Sequence, residues 1–167
     1  MGNQIKVLVV EDEIIVSEEI AELLRSFGYE VVAQAQSAEE AMEHISQTPP
    51  DVALLDIHIK GEMDGVELAK LIRNNADCAI IFLTAYSDKS TIDRVKEVHP
   101  EAYLVKPFEK NGLLAAIDLA FSNYEHTNEE ELLKESKAME SLFLKDQHRY
   151  EKVLISDILY FEANVKN

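Results

Sequence analysis

The chain is poor in the residues that mark several protein classes. Its 167 residues include no tryptophan, one cysteine, four prolines and five glycines. One cysteine excludes an internal disulfide, and so few glycines and prolines exclude a collagen-like or low-complexity chain. No apolar run approaches the roughly 20 residues that span a bilayer, and the N-terminus has neither a signal-peptide core nor a lipidation signal. We therefore expect a globular protein of the cytoplasm with no membrane partner.

Positive charge is also scarce. The chain has 16 Lys and Arg against 32 Asp and Glu, a formal net charge of −16. Residues 141–167 hold four basic and four acidic side chains, so the whole negative balance lies in residues 1–140. A surface of this sign repels nucleic acid. The change in charge density also predicts that a different segment begins at Ser141.

Short apolar runs alternate regularly with amphipathic segments. Each of five runs of strand length is followed by apolar residues at helical spacing, and these runs are Ile5–Val10, Glu30–Ala35, Asp51–Leu55, Ala79–Leu83 and Ala102–Val105. Ser37 with Glu40, and Asp64 with Glu67, have the spacing of helix-starting capping boxes. Five βα units predict an α/β fold, a doubly wound parallel sheet with helices on both faces.

The pattern changes after the fifth unit. Residues 126–140 are polar and acidic, and either a new helix starting at Asn128 or a continuation of the preceding helix fits them. From Ser141 short β-like runs follow, the last of them Ile158–Phe161. We therefore predict three regions: a main domain at 1–125, an acidic linker at 126–140 and a short β fragment at 141–167.

Polar side chains follow four of the five predicted strands. Glu11 and Asp12 follow the first, Asp56 the third, Thr84 the fourth and Lys106 the fifth. Since the carboxyl ends of parallel strands share one edge of the sheet, we expect these groups to converge. Three converging carboxylates repel one another unless a hard cation lies among them, and oxygen ligands suit Mg²⁺. A carboxylate beside a hydroxyl and a lysine is arranged to attack phosphorus, which predicts a Mg²⁺-dependent phosphoryl-transfer site.

Several short motifs carry a family resemblance. Residues from about Ile5 to Tyr124 resemble the receiver domain of two-component response regulators. The motifs that match in order and spacing are Val10-Glu11-Asp12, Leu54-Leu55-Asp56, the Gly61–Gly65 loop, Leu83-Thr84-Ala85 and Lys106-Pro107. The resemblance, and not the pattern itself, implies the flavodoxin-like strand order 2-1-3-4-5, for which a member of this family is a standard example.

The same resemblance implies roles for the residues at the strand ends. Asp56 would accept a phosphoryl group from a sensor histidine kinase, while Lys106 and Thr84 would contact the transferred phosphate. Three side chains and one main-chain carbonyl would hold Mg²⁺, and they belong to Glu11, Asp12, Asp56 and His58. The Lys106–Pro107 peptide bond would be cis. We expect no enzymatic activity beyond self-phosphorylation and slow autodephosphorylation.

The resemblance also implies how phosphorylation is reported. Thr84 and Tyr103 would form a switch in which Thr84 moves toward the phosphate and Tyr103 fills the space it leaves. Without the resemblance, Tyr103 would be a strand residue half buried on the last helix. The responding surface, which would form a homodimer after phosphorylation, comprises the fourth helix, fifth strand and fifth helix.

The C-terminal segment has its own resemblance. Leu142-Phe143-Leu144-Lys145-Asp146, Arg149-Tyr150 and Ile158-Leu159-Tyr160-Phe161-Glu162-Ala163 resemble the opening strands of a LytTR-type DNA-binding domain. That domain is several times longer than residues 141–167, so we expect an incomplete output domain here. DNA would then be a partner of the full-length parent protein only.

Two other functions fit parts of the sequence. Asp56-Ile57-His58-Ile59-Lys60-Gly61 matches the D-x-H-x-x-G pattern of cobalamin-binding domains, but that family has the motif after its first strand and needs a later Gly-Gly pair that the chain lacks. A phosphorylation-independent adaptor whose acids only hold a metal is the other alternative, and it has no need for the pair of Thr84 and Lys106. Phosphatases of the haloacid dehalogenase type require an Asp where His58 stands.

Overall fold

The computed structural model describes residues 4–85, 88–139, 141–146 and 149–154, with side chains as far as residue 128. Its strands are β1 Lys6–Val10, β2 Glu30–Ala35, β3 Val52–Asp56, β4 Ala79–Thr84, β5 Ala102–Val105, β6 Ser141–Asp146 and β7 Arg149–Leu154. Its helices are α1 Ile14–Ser26, α2 Ala38–Gln47, α3 Gly65–Asn75, α4 Lys89–Glu97 and α5 Lys110–Met139. Two compact units result, Met1–Tyr124 and Glu125–Asn167. In the described part of the chain, no helix is long and apolar enough to cross a membrane.

The first five strands form one sheet. Its order is β2-β1-β3-β4-β5 and every pairing is parallel, which confirms the predicted fold class and strand order. β3 lies between β1 and β4, and all residues of β3 and β4 are buried. Continuous burial is expected of central parallel strands because helices cover both faces. The carboxyl ends of β1, β3 and β4 therefore lie side by side at one edge.

Alternation along the strands divides the core into two layers. Leu8 and Val10 of β1 belong to a cluster with the buried residues of α2, α3 and α4, whereas Val7 and Val9 belong to a cluster with those of α1 and α5. Successive strand residues point to opposite faces, so one strand supplies both layers. Cys78 is buried, as expected for a packing residue.

Two helices begin at the predicted capping residues. At α3 the box is complete, because the Asp64 carboxylate accepts from the amides of Val66 and Glu67 while the Glu67 carboxylate accepts from the amide of Asp64. At α2 the Ser37 hydroxyl accepts from the amide of Glu40 at 3.3 Å. The Glu40 carboxylate, however, accepts from the amide of Gln36, one residue earlier than a capping box requires.

Helix α4 is joined to α3 by charged side chains and is less buried than its neighbour. Val95 is its one buried residue, whereas α3 buries five. Arg94 pairs with Asp64 at 2.7 Å and Glu97 with Lys70 at 3.1 Å. Exposed ion pairs of this kind contribute roughly 0–1 kcal/mol each. Because α4 buries one residue and α3 buries five, α4 depends less on the core than α3 does.

The second unit contains a β-hairpin. β6 and β7 are antiparallel, and Ser141 is opposite Leu154 and Asp146 opposite Arg149. Helix α5 continues to Met139, so of the two alternatives for residues 126–139 the structure has the continuous helix. The predicted run Ile158–Phe161 lies outside the described residues.

Candidate functional site

Three carboxylates meet at the carboxyl ends of β1 and β3. Glu11, Asp12 and Asp56 each offer an oxygen, and these oxygens all lie within 4.8 Å of one another. Glu11 is fully buried and Asp56 is 7% exposed, while Asp12 is half-buried. The order of the strands explains this convergence, because β1 and β3 are neighbours and both end at the same edge.

The Lys106 side chain reaches two of these carboxylates from the end of β5. Its Nζ lies 2.7 Å from Asp56 Oδ2 and 2.5 Å from Glu11 Oε2. The Lys106 amide donates to the carbonyl of Thr84 at 2.6 Å, which connects the residue that follows β5 to the end of β4. The Lys106–Pro107 peptide bond is cis.

Burial and charge act in opposite directions on this cluster. Burial raises the pKa of Glu11, and the nearby Asp56 adds to that rise, whereas the hydrogen bond from Lys106 lowers it without cancelling it. For Lys106, burial alone would lower the pKa, but the bonds to Asp56 and Glu11 outweigh burial and raise it. Lys106 is therefore held in its charged form between two carboxylates.

The donor set suits a hard divalent cation. With all four groups ionised, three carboxylates and one ammonium leave two net negative charges within one small region. Oxygen ligands with a partly accessible member are typical of Mg²⁺, which keeps some of its water. The amide of His58 donates to Asp56 Oδ1 at 3.1 Å, so the main chain of His58 passes beside this carboxylate, while the His58 side chain is exposed.

The two proposed switch residues lie on adjacent strands. Thr84 is fully buried at the end of β4, and Tyr103 in β5 is half-buried. Tyr103 packs against the cluster that contains Val95 of α4, not against α5 as the sequence interpretation had it. Successive side chains of a strand point to opposite faces of the sheet. Because Leu104 faces the layer that contains α5, Tyr103 faces the other layer, which explains the error. Tyr103 borders a cleft of about 510 Å³ lined also by Ile92, Val95, Lys96, His99 and Pro100.

Lys60, in the loop after β3, and Gly65, at the start of α3, have roles that the sequence did not indicate. A Cβ added to Gly65 would lie 2.0 Å from the carbonyl oxygen of Asp56, so the start of α3 touches the backbone of Asp56. Lys60 donates through its amide to the carbonyl of Gln36 and through Nζ to Gln36 Oε1 and the carbonyl of Asp12. The glycine at the first position of α3 is the signal that could have indicated the close contact between Gly65 and Asp56.

Comparison with known proteins agrees with this geometry. Residues 7–118 match the model of the response regulator receiver domain. The chain belongs to the response regulator receiver family. Receiver domains are the regulatory, phosphorylated partners of sensor histidine kinases in two-component systems. This match decides against the cobalamin-binding alternative for His58.

Similar proteins include regulators from several bacteria. The transcriptional regulatory protein PdtaR of Mycobacterium tuberculosis is 36% identical over 119 residues, which cover 71% of this chain and 58% of PdtaR. The sensory transduction protein LytT of Bacillus cereus is 32% identical over 115 residues, covering 68% of this chain and 46% of LytT. The chain therefore spans about half the length of the curated relatives it matches.

Solved receiver structures have the same architecture. The receiver domain of a modulated diguanylate cyclase from Desulfovibrio desulfuricans G20 superposes with a TM-score of 0.72 at 34% identity, covering 75% of this chain and 99% of that domain. A CheY-like receiver from Methanospirillum hungatei gives a TM-score of 0.68 at 25% identity, with coverage of 75% and 99%.

Proposed function

We propose that Asp56 is the phosphoryl acceptor of this receiver. A carboxylate oxygen of Asp56 attacks the phosphorus of a kinase phosphohistidine, the P–N bond breaks, and the imidazole leaves with a proton from solvent while an acyl phosphate forms. The observation that carries the proposal is the position of Lys106 Nζ, 2.7 Å from Asp56 Oδ2. Cations beside the acceptor neutralise the phosphoryl oxygens during transfer.

The proposed Mg²⁺ ligands are the carboxylates of Glu11, Asp12 and Asp56 with the main-chain carbonyl of His58. The support is the group of three carboxylate oxygens within 4.8 Å. Bound there, Mg²⁺ would supply positive charge to the phosphoryl oxygens. Lys106 would exchange one of its carboxylate partners for a phosphate oxygen, and the Thr84 hydroxyl would donate to another. Tyr103 would then change its packing beside α4.

The proposed output is a change in the surface formed by α4, β5 and α5. Among the residues whose side chains the structure describes, each of these elements exposes a large apolar side chain: Ile92 is 36%, Val105 50% and Leu119 63% exposed. Burying such side chains against a second copy would stabilise a homodimer. We assign residues 1–125 to the receiver, 126–140 to a linker and 141–167 to the opening of a LytTR-type domain, through which the full-length parent would bind DNA and control transcription.

Phosphodonor labelling tests the acceptor. After incubation with Mg²⁺ and acetyl phosphate, intact-mass spectrometry should detect one added phosphoryl group on the wild-type protein and none on Asp56→Asn. Omitting Mg²⁺ should greatly reduce labelling. Equal labelling of Asp56→Asn would refute the assignment of the acceptor. No labelling of either protein, with no change in oligomer size on adding a phosphate mimic, would favour the adaptor alternative.

A further inference from the structure

Lys60 joins its own loop to two others at the carboxyl edge of the sheet. It lies in the loop after β3, and its amide donates to the carbonyl of Gln36 at 3.1 Å, in the loop after β2. Its Nζ donates to Gln36 Oε1 at 3.1 Å and to the carbonyl of Asp12 at 3.4 Å, in the loop after β1. The main chain of Lys60 also forms an isolated parallel bridge with Ser37. One side chain thus connects the main chain of Asp12 with the loop that follows Asp56.

The partner of Lys60 is itself held in place. The amide of Gln36 donates to the Glu40 carboxylate at 2.8 Å, and Ser37 caps the helix to which Glu40 belongs. Gln36 is therefore fixed relative to the start of α2. Its contacts with Lys60 transfer that fixed position to the loop after β3, because a hydrogen-bonded chain of this kind restrains both ends.

We propose that Lys60 is a positioning residue for the metal and phosphoryl site. This inference rests on the proposed function of that site. Lys60 contacts none of the three carboxylates of the cluster. It restrains the main chain of Asp12 and of the segment that contains His58, which positions the Asp12 carboxylate and the His58 carbonyl as Mg²⁺ ligands. Residues that orient metal ligands from outside the coordination shell are worth about 10- to 100-fold in metal affinity when they are replaced.

If Lys60 acted only through its charge, replacing it would change the Mg²⁺ affinity in the opposite direction. Removing a positive charge near three carboxylates strengthens their attraction for a cation. Losing the restraint on Asp12 and His58 weakens cation binding, because the ligands must then be ordered when the metal binds. The direction of the change in Mg²⁺ affinity therefore separates the two effects.

The test compares Mg²⁺ binding by calorimetry, without phosphodonor, in wild type, Lys60→Met and Lys60→Arg. Lys60→Met should bind Mg²⁺ about 10-fold more weakly, and Lys60→Arg, which retains donors for both carbonyls, should recover most of that loss. Lys70→Met is the matched control, since Lys70 pairs with Glu97 on α4 and its loss changes the net charge equally. That control should bind as wild type does. An affinity of Lys60→Met that is unchanged or tighter would overturn the proposal.

Two further readouts separate this proposal from a stability effect and from the proposed function. Amide exchange of residues 58–61 should accelerate in Lys60→Met while the unfolding midpoint stays at the wild-type value, and unchanged exchange would overturn the proposal. Gln36→Ala should add little to Lys60→Met, because neighbours in one hydrogen-bonded chain are not additive. If wild type takes up no phosphoryl group, the proposed function fails, but Mg²⁺ affinity and exchange still decide the role of Lys60.

Discussion

Gly65 is the position at which one methyl group should disturb the site most directly. An ideal Cβ there would lie 2.0 Å from the carbonyl oxygen of Asp56, 2.9 Å from its carbonyl carbon and 3.0 Å from the Cα of Ile57. Real Cβ atoms essentially never come closer than 3.0 Å to such atoms, so Gly65→Ala must open the contact by at least 1.0 Å. All three obstacles are backbone atoms, and no rotamer change relieves the collision.

Two opposing terms set the expected stability. Alanine is favoured over glycine in a helix by about 0.5–1 kcal/mol. Forcing extra volume into a packed region costs about 1–3 kcal/mol, and a collision between backbone atoms belongs at the upper end. We expect Gly65→Ala to be destabilised by roughly 2 kcal/mol. Gly112→Ala is the matched control, because nothing lies within 4 Å of its added Cβ and helix propensity alone should leave it stabilised.

Urea unfolding followed by far-ultraviolet circular dichroism measures this difference, since the chain has no tryptophan to report by fluorescence. Labelling with acetyl phosphate provides a second readout. A displacement of about 1 Å at reacting atoms can cost 100-fold in rate, so Gly65→Ala should also label slowly. A Gly65→Ala protein as stable as wild type and labelled at the same rate would refute the steric argument.

Two further predictions concern groups outside the acid cluster. Burial alone would raise the pKa of Asp64, but the amide of Glu67 and the Arg94 guanidinium lower it below its usual value. The contribution of ionised Asp64 to the free energy of unfolding is therefore complete above a pH of about 4 and is lost as the pH falls through the lowered pKa. Asp64→Ala should cost about 1 kcal/mol at pH 7 by urea unfolding and less at pH 3, whereas Asp64→Asn retains most of the cap; a cost independent of pH would contradict this. Burial raises the pKa of Cys78 to about 12, so a thiol reagent at pH 8 should modify it only in urea, and rapid modification of the folded protein would contradict its burial.

The elements and their succession along the chain could be predicted because the information is local, whereas the order of the strands in the sheet came from the family resemblance. Apolar runs and helical spacing identify the units, and parallel strands necessarily bring Glu11, Asp56 and Lys106 to one edge. The capping box at Asp64 was likewise predictable, since all its partners lie within three residues. These features need no knowledge of distant contacts.

Contacts between distant segments could not be predicted in this way. Arg73 donates to the carbonyls of Cys78, Val98 and His99 and pairs with Glu101, and nothing in its helical position indicates these partners. The same is true of Lys60, whose partners lie in the loops after β1 and β2. Strand alternation predicts that two faces exist, but an isolated residue such as Tyr103 does not tell which helix covers its face.

Asp56, the proposed acceptor, stands at the end of a strand that cannot easily be displaced. β3 is hydrogen-bonded to β1 on one side and β4 on the other, and all its residues are buried. Close-packed interiors have low compressibility, so added volume and charge at Asp56 cannot be absorbed by displacing the strand. If Asp56 is phosphorylated as proposed, the loop from Ile57 to Asp64 and the segment around Lys106 would have to rearrange instead. The response to a small covalent change at Asp56 would therefore be directed away from the sheet, toward the surface that these two segments form.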